Sequence, residues 1–192
     1  MKKIFLDCGS HHLEGLKAFF ERKIIDETFE IHTFEANPEC RIKDRLKNFK
    51  LKNCKVHEAA VWISDGTLLF NQENHEESKS RYPYDGISKI DGWGSSVYGI
   101  GYEHKGYSTP IEVKSIDFGN FVNKLEESYI ICKMDIEGSE FEVLKKMIED
   151  NSISRISKLY VEFHDRFMPK EKNKNKIIEK IQSKGVDIII ST

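Results

Sequence analysis

Two patterns of apolar residues alternate along the chain. Short continuous apolar runs are typical of buried strands, and apolar residues that recur every three or four positions are typical of one helix face. The runs predict strands at residues 3–7, 29–34, 55–61, 67–70, 111–114, 129–135, 158–163 and 186–190. The helical pattern covers residues 13–24, the segment opened by Pro38, residues 117–125, the segment after Gly138 and residues 171–184. Alternating strands and helices predict an α/β fold: a doubly wound, mostly parallel, Rossmann-like sheet with helices on both faces.

Residues 72–109 show neither pattern. This stretch holds six of the 12 glycines and five of the seven tyrosines of the chain. Such long segments without regular structure are usually functional or disordered, and the aromatic content argues against disorder. We interpret it as a substrate-facing loop, with a mobile surface insertion as the alternative. Trp93, Ser95 and Ser96 combine hydroxyl groups with an aromatic ring, as a sugar site requires, although these residues could instead only pack the loop.

The composition is that of one globular domain spanning residues 1–192. Hydrophobic residues make up 39% and charged residues 32%, and a net charge of −2 gives no reason to expect a nucleic-acid partner. The four cysteines show no C-x-x-C spacing, which favours a reducing compartment. No apolar run approaches the roughly 18 residues that a membrane span needs. We therefore expect a cytoplasmic protein without membrane insertion.

Acidic residues follow three of the predicted strands: Asp7, Glu35 and Asp135. In an open parallel sheet the carboxyl ends of the strands border the ligand crevice, so we expect all three acids to point into it. Gly9 would let the backbone approach a ligand closely. Glu35 could accept both hydroxyl hydrogens of a ribose. The pattern indicates a site for a small molecule rich in hydroxyls and amines.

The order of these motifs resembles that of the FkbM family of S-adenosylmethionine-dependent methyltransferases. The resemblance is carried by Leu6-Asp7-Cys8-Gly9, Phe34-Glu35-Ala36-Asn37-Pro38, Ala59-Ala60-Val61, Val161-Glu162-Phe163-His164 and, most specifically, Lys133-Met134-Asp135-Ile136-Glu137-Gly138-Ser139-Glu140. It implies a class I methyltransferase fold with S-adenosylmethionine along the first three strand ends, and methyl transfer to a hydroxyl oxygen. It further implies cofactor contacts at Asp7, Gly9, Ser10, Glu35, Ala36, Asn37 and Asp135, with Ala60 near the adenine.

Two departures from the family pattern are visible. The family usually has a second glycine four residues after the first, where this chain has Leu13, followed by Gly15 two positions later. The sequence also ends directly after a predicted strand, whereas the fold normally closes with one more antiparallel strand. We expect either a trimmed domain of a longer, multidomain protein or a short family member that lacks this last strand.

Three residues near the later strand ends are catalytic candidates. An alcohol acceptor is nearly unionised at neutral pH, so a base within hydrogen-bond reach assists the transfer. His164 is the first candidate, with a capping or surface histidine as the alternative. Asp135 could bind the cofactor's amino group, orient the acceptor or hold a cation. Glu137 could act in the chemistry or cap the helix that follows.

The remaining interpretations concern metals and rival functions. Glu162 and His164 face the substrate side, and with Asp135 they offer a ligand set for Mg²⁺, although we assign no metal. We expect an O-methyltransferase that uses S-adenosylmethionine, acts on a sugar hydroxyl of a glycan or glycoside and releases S-adenosylhomocysteine. The alternatives are a nucleotide-sugar or dinucleotide-binding enzyme, which the missing G-x-G-x-x-G fingerprint disfavours, and a non-catalytic cofactor-binding module.

Overall fold

A computed structural model of the chain describes residues 1–49, 51, 53–72, 96–97, 110–164 and 174–191. Within these residues nine strands alternate with five α-helices and two 3₁₀ turns. The strands are β1 (Lys2–Cys8), β2 (Glu30–Phe34), β3 (Cys54–His57), β4 (Ala60–Trp62), β5 (Gly66–Phe70), β6 (Ile111–Asp117), β7 (Ser128–Met134), β8 (Lys158–Glu162) and β9 (Asp187–Ser191). The helices are α1 (Glu14–Glu21), α2 (Ile42–Leu46), α3 (Phe118–Asn123), α4 (Glu140–Glu149) and α5 (Lys174–Ser183), and the 3₁₀ turns are Pro38–Cys40 and Ser152–Arg155.

The main sheet has six strands in the order β3-β2-β1-β7-β8-β9. Every neighbouring pair in it is parallel, and β1 lies between β2 and β7. The carboxyl ends of these strands therefore meet at one edge of the sheet, as the sequence predicted. This sheet has no antiparallel strand among the described residues.

Helices cover both faces of the main sheet because successive strand side chains point to opposite faces. On β1, Ile4 and Leu6 join the larger core cluster with side chains of α3, α4 and α5. Phe5 points the other way and packs against Leu16 and Phe19 of α1. The α/β class with helices on both faces is confirmed. Among the described residues, no helix combines the length and apolarity that crossing a membrane requires.

A second, three-stranded sheet has the order β4-β6-β5, with β4 parallel and β5 antiparallel to β6. The prediction of one strand over residues 55–61 is therefore wrong. The main-sheet strand ends at His57, whose carbonyl oxygen accepts a hydrogen bond from Glu35 N at 3.0 Å, and Ala60 then begins a strand that pairs with β6. A continuous apolar run does not reveal that a strand changes its partner.

The segment after β2 also differs from the expected helix. Pro38 opens a single 3₁₀ turn, and Arg41 then adopts a left-handed conformation (φ 46°) before α2 begins. Asn37 caps the 3₁₀ turn by accepting a hydrogen bond from Glu39 N at 3.1 Å. The prediction that Pro38 occupies the first position of a helical turn is correct, but the turn is not continuous with α2.

Candidate functional site

A cleft lies at the carboxyl ends of β1, β2 and β7. It encloses about 650 Å³, including the part open to solvent. Six of the predicted site residues line it: Gly9, Glu35, Ala36, Ala60, Asp135 and Glu137. Its wall also contains residues to which the sequence analysis gave no role, namely His11, Phe34, Val61, Phe70, Val97, Ile136 and Ser139, together with Ala59.

The turn after β1 passes directly over the end of β2 and against the end of β7. The backbone N–H groups of Gly9 and Ser10 both donate to the carbonyl oxygen of Phe34 at 3.0 Å. Gly9 has a φ of 74°, and a Cβ atom on it would lie 1.7 Å from the carbonyl oxygen of Asp135. Glycine is thus required at position 9 because any side chain there would collide with the backbone of the turn after β7. Ser10 is buried behind the cleft, where its hydroxyl donates to the carbonyl oxygen of Asp7 at 2.8 Å.

The carboxylate of Asp7 does not point into the cleft, so this part of the prediction is wrong. Asp7 is 0% exposed and lies on the face of β1 that α1 covers, since its Oδ1 is 3.6 Å from the position of a Cβ on Gly15. Its nearest cation is Lys133, whose Nζ is 3.8 Å from Oδ1. Burial raises the pKa of Asp7, although Lys133 opposes that shift. A direct cofactor contact by Asp7 stays a prediction.

Lys133 joins the turns after β1 and β7. Its ammonium donates to the carbonyl oxygen of Gly9 at 2.7 Å and lies 3.2 Å from Asp135 Oδ2. Burial by itself would lower the pKa of Lys133, but Asp135 and Asp7 outweigh it and the pKa is raised. Lys133 therefore holds the carboxylate of Asp135 at the cleft wall and provides the opposite charge for the buried carboxylate of Asp7.

Glu35 borders the cleft at the end of β2. Its Oε2 accepts a hydrogen bond from His11 N at 2.7 Å, and its Oε1 accepts one from Asn37 N at 2.7 Å. Burial raises the pKa of Glu35, although both bonds work in the opposite direction. An ionised carboxylate has about four acceptor positions, so two remain for ligand hydroxyls. Asn37 is itself buried and points away, accepting from Gln72 Nε2 at 2.9 Å.

The position where the family usually has a second glycine is occupied by Leu13 in a left-handed conformation. Leu13 has a φ of 70°, and His11 two residues earlier has a φ of 44°. The backbone thus takes a shape that glycine adopts readily, while the fully buried Leu13 side chain anchors it in the core. The same turn brings His11 to the cleft wall, a placement that no spacing in the sequence indicated.

Four carboxyl groups surround His164, which is buried. Glu140 Oε1 is 3.0 Å from Nδ1 of the ring. On the other side, Nε2 lies 3.5 Å from Glu137 Oε2 and 3.8 Å from both Asp135 Oδ1 and Glu162 Oε1. Burial alone would lower the pKa of His164, but the bond to Glu140 and the charge of Glu137 outweigh it and raise the pKa to about 9. In this structure the ring is therefore protonated at neutral pH.

Glu137 stands in the turn between β7 and α4 with a left-handed φ of 51°. Burial raises its pKa to about 7, although His164 works against this shift. The alternative that Glu137 caps α4 does not describe the structure. Glu140 instead accepts hydrogen bonds within this turn, from Ile136 N at 2.8 Å and from Gly138 N at 2.9 Å. The sequence analysis assigned no role to Glu140.

Of the predicted substrate residues in the long segment, Ser96 is described, whereas Trp93 and Ser95 lie outside the described residues. Ser96 is buried, and its hydroxyl donates to the carbonyl oxygen of Glu137 at 2.6 Å. Two backbone hydrogen bonds join it to Asn71, at 2.8 and 3.0 Å. The segment therefore contacts the turn that carries Glu137, and the neighbouring Val97 lines the cleft.

Among the described residues, two groups of side chains have donor atoms close enough to share a metal ion. Asp135, Glu140 and His164 form the first, and His11, His12 and Cys40 form the second, with ligand atoms within 4.8 Å of one another in each. In the second group the two imidazole rings are stacked at 4.0 Å, an arrangement that does not direct both lone pairs at one point. The residues considered for Mg²⁺ also lie close together, because Asp135 Oδ1 and Glu162 Oε1 are each 3.8 Å from Nε2 of His164. Metal binding by these three residues stays a prediction.

The comparison with protein families agrees with this fold and cleft. Residues 7–187 match the family model described as the methyltransferase FkbM domain. Because the match covers nearly the whole chain, the protein belongs to the FkbM methyltransferase family. Searches of curated proteins and of solved structures found no match. Membership of this family supports a methyltransferase activity.

Proposed function

We propose that this protein transfers a methyl group from S-adenosylmethionine to a hydroxyl oxygen on a sugar of a glycan or glycoside. The observation that carries the proposal is the cleft itself. It places the carboxylate of Glu35 at the end of β2 opposite the acids Asp135 and Glu137 after β7. Family membership supports the transfer of a methyl group, and the chemistry of the cleft supports the donor.

The lining of the cleft suits both the adenosine and the positively charged groups of S-adenosylmethionine. Glu35 keeps two acceptor positions for ribose hydroxyls, and Ala60, Val61 and Phe70 provide a small apolar wall for a flat ring. Asp135 and Glu137 line the same cleft and suit the positive charges of a sulfonium and an ammonium group. Asp7 acts indirectly in this proposal, because it is paired with Lys133, which in turn holds Asp135.

When bound, S-adenosylmethionine supplies a methyl group whose S–C bond breaks as the new bond to the acceptor oxygen forms. The residues of the chain then have two tasks: to hold the acceptor in line and to take its hydroxyl proton. Nε2 of His164 is the proposed proton acceptor. Its raised pKa means that the ring carries a proton that must leave before the ring can act as a base, to solvent or to Glu137, whose Oε2 lies 3.5 Å from Nε2.

The sugar is inferred from the acceptor side of the cleft. Ser96 donates a hydrogen bond to the Glu137 turn, so this predicted substrate residue lies beside the acidic groups, whereas Trp93 and Ser95 stay predicted contacts outside the described residues. Glu162 lies on the same side of His164 and is partly exposed, with 41% of its side chain accessible. Carboxylates and aromatic rings together are the groups that bind the hydroxyl rim and the apolar face of a sugar ring.

Calorimetry followed by a transfer assay tests the proposal. We expect S-adenosylmethionine and S-adenosylhomocysteine to bind with one site per chain, and NAD and uridine diphosphate glucose not to bind. A panel of p-nitrophenyl glycosides incubated with enzyme and donor should then contain a product heavier by one methylene unit. Binding of NAD in place of the methyl donor would replace the proposal with the dinucleotide alternative. Binding of the donor without any methylated glycoside would refute the sugar acceptor.

A further inference from the structure

The carboxylate of Glu140 contacts both the ring of His164 and the turn that carries Glu137. Its Oε1 accepts a hydrogen bond from Ile136 N at 2.8 Å and lies 3.0 Å from Nδ1 of His164. Its Oε2 accepts a bond from Gly138 N at 2.9 Å. The side chain is 0% exposed, so these partners take the place of water around the charge. A buried carboxylate with three donors is firmly held, and it holds each donor in turn.

This contact decides which nitrogen of His164 carries the lone pair on the side of Glu137 and Asp135. A carboxylate accepts hydrogen bonds, so a neutral ring beside Glu140 keeps its proton on Nδ1 and leaves the lone pair on Nε2. Nε2 is the atom that lies near Glu137 and Asp135, at 3.5 and 3.8 Å. A base that takes a proton from an acceptor needs its lone pair on that side.

The same carboxylate fixes the turn that carries Glu137. Glu137 and Gly138 have φ angles of 51° and 99°, so the chain makes a left-handed turn at these two residues. A left-handed conformation at a residue other than glycine is strained and persists when its surroundings enforce it. The N–H groups on either side of Glu137, those of Ile136 and Gly138, both bond to Glu140. Glu140 therefore sets the position of Glu137 as well as that of the ring.

We propose that Glu140 is a positioning residue: it holds His164 with Nε2 toward the acceptor and keeps Glu137 beside that nitrogen. It does not touch the reacting atoms, because it lies on the Nδ1 side of the ring. This inference rests on the proposed methyl transfer for its catalytic meaning. The arrangement of the ring can be measured without any substrate.

The test reads the tautomer of His164 in protein labelled with ¹⁵N-histidine. Two-bond ¹H–¹⁵N spectra distinguish Nδ1–H from Nε2–H rings, and a His164→Asn variant identifies the signals of this ring among the seven histidines. The spectra are recorded above pH 10, where a ring with a pKa of about 9 is neutral, and we expect His164 in the wild-type protein to be the Nδ1–H tautomer there. An Nε2–H tautomer in the wild-type protein would overturn the proposal, and apart from the assignment of the signals this measurement uses only the wild-type protein.

A pair of variants on the same helix links the tautomer to the carboxylate. Glu140→Gln removes the charge beside Nδ1 in either orientation of its amide, so the ring should become neutral at a lower pH than in the wild-type protein, and an amide whose NH₂ group faces the ring should also shift its signals toward the Nε2–H pattern. Glu149→Gln makes the same chemical change at an exposed position of α4 and should leave the spectrum unchanged. A ring in folded Glu140→Gln that keeps both the tautomer and the titration midpoint of the wild-type protein would also overturn the proposal.

Kinetics then separate this inference from the proposed function. With a methylated glycoside as readout, Glu140→Gln should lower kcat by about 10²-fold, within the range that general bases contribute, and leave the Kd of S-adenosylhomocysteine unchanged. If the wild-type protein transfers no methyl group, the proposed function fails while the tautomer result still stands. If the wild-type protein is active and Glu140→Gln is equally active, the positioning role fails alone.

Discussion

The backbone of Gly9 packs directly against the carbonyl group of Asp135, so the turn after β1 is in close contact with the turn after β7. A Cβ on Gly9 would lie 1.7 Å from the carbonyl oxygen of Asp135, well inside any real atomic contact. Asp135 N donates to the carbonyl oxygen of Cys8 at 3.1 Å, and Lys133 Nζ donates to that of Gly9 at 2.7 Å. These hydrogen bonds thus join the carboxyl ends of β1 and β7 at the cleft.

Gly9→Ala should destabilise the protein severely. The new methyl group would collide with backbone, and its residue would have a φ of 74°. We expect a loss of about 3 kcal/mol or more in the free energy of unfolding, measured by urea denaturation. Gly185→Ala is the matched control, because Gly185 has a φ of 80° and no atom within 4 Å of an added Cβ. It should lose about 1 kcal/mol from backbone strain alone, and equal losses in the two variants would contradict this account.

Lys133→Met should destabilise the protein because it leaves Asp7 buried without its cation. Removing one partner of a buried ion pair typically costs about 3–5 kcal/mol. Burial already raises the pKa of Asp7, and this variant should raise it further. A raised folded-state pKa gives stability at low pH that disappears as the pH rises, so the loss relative to wild type should be larger at pH 8 than at pH 5.

The control for Lys133→Met is Lys146→Met. Lys146 forms an ion pair with Asp150 at 3.0 Å, but it lies at the surface with 38% of its side chain exposed. Surface pairs contribute about 0–1 kcal/mol, so this variant should stay close to wild type. A Lys133→Met loss that does not change with pH would mean that Asp7 is not the group left uncompensated.

Acid should destabilise the protein partly through His57. Burial and the nearby His32 lower the pKa of His57 to about 4, from an ordinary value near 6.5. The unfolded chain therefore binds a proton in the window from about pH 6.5 to 4 that the folded protein resists, and stability falls as the pH falls through it. In His57→Phe, which keeps a ring against Phe34, the fall in urea midpoint across this window should be smaller. An identical pH profile would remove His57 as a cause.

Glu35→Gln should weaken binding of S-adenosylhomocysteine. The amide loses the charge and two of the acceptor positions proposed for the ribose hydroxyls, which should cost roughly 1–3 kcal/mol, or about 5- to 150-fold in Kd. Glu39→Gln changes an exposed acid in the turn that follows and should bind as the wild type does. Calorimetric titration compares the Kd of S-adenosylhomocysteine for the two variants and the wild type under conditions in which all three are folded. An unchanged Kd in Glu35→Gln would disprove the assignment of Glu35 to the ribose.

His164→Gln should lower turnover without affecting cofactor binding. Removing a general base typically costs about 10²–10⁴-fold in kcat. His164 does not line the cleft as Glu35 does, so the Kd of S-adenosylhomocysteine should stay near the wild-type value. Full turnover in this variant would transfer the role of base to another group, with Glu137 as the next candidate.

The fold could be predicted because its signals are local. Apolar runs and helical spacing depend on neighbours in sequence, and they identified the strands that carry Glu35 and Asp135 correctly. The direction of Asp7 was predicted wrongly, because side chains on a strand alternate between faces and Asp7 shares the face of Phe5 beneath α1. The change of sheet after His57 was missed since it depends on β6, more than 50 residues later in the chain.

Glu140 illustrates why part of the site could not be predicted. An acid in the first turn of a helix is usually a surface residue that complements the helix dipole. Its burial follows from contact with His164, which is 24 residues away in sequence. The position of His11 at the cleft likewise depends on a bond from its backbone to Glu35, also 24 residues away. Such contacts arise only when the strands assemble.

Amide NMR spectra recorded during a titration with S-adenosylhomocysteine test the central claim most directly. The claim is that one ligand occupies the cleft between the ends of β1, β2 and β7. We predict saturable shifts at the amides of His11, Asn37, Ala60 and Ile136, and none on the exposed face of α5. Saturable shifts confined to other surfaces, or no shifts at millimolar ligand, would contradict the claim.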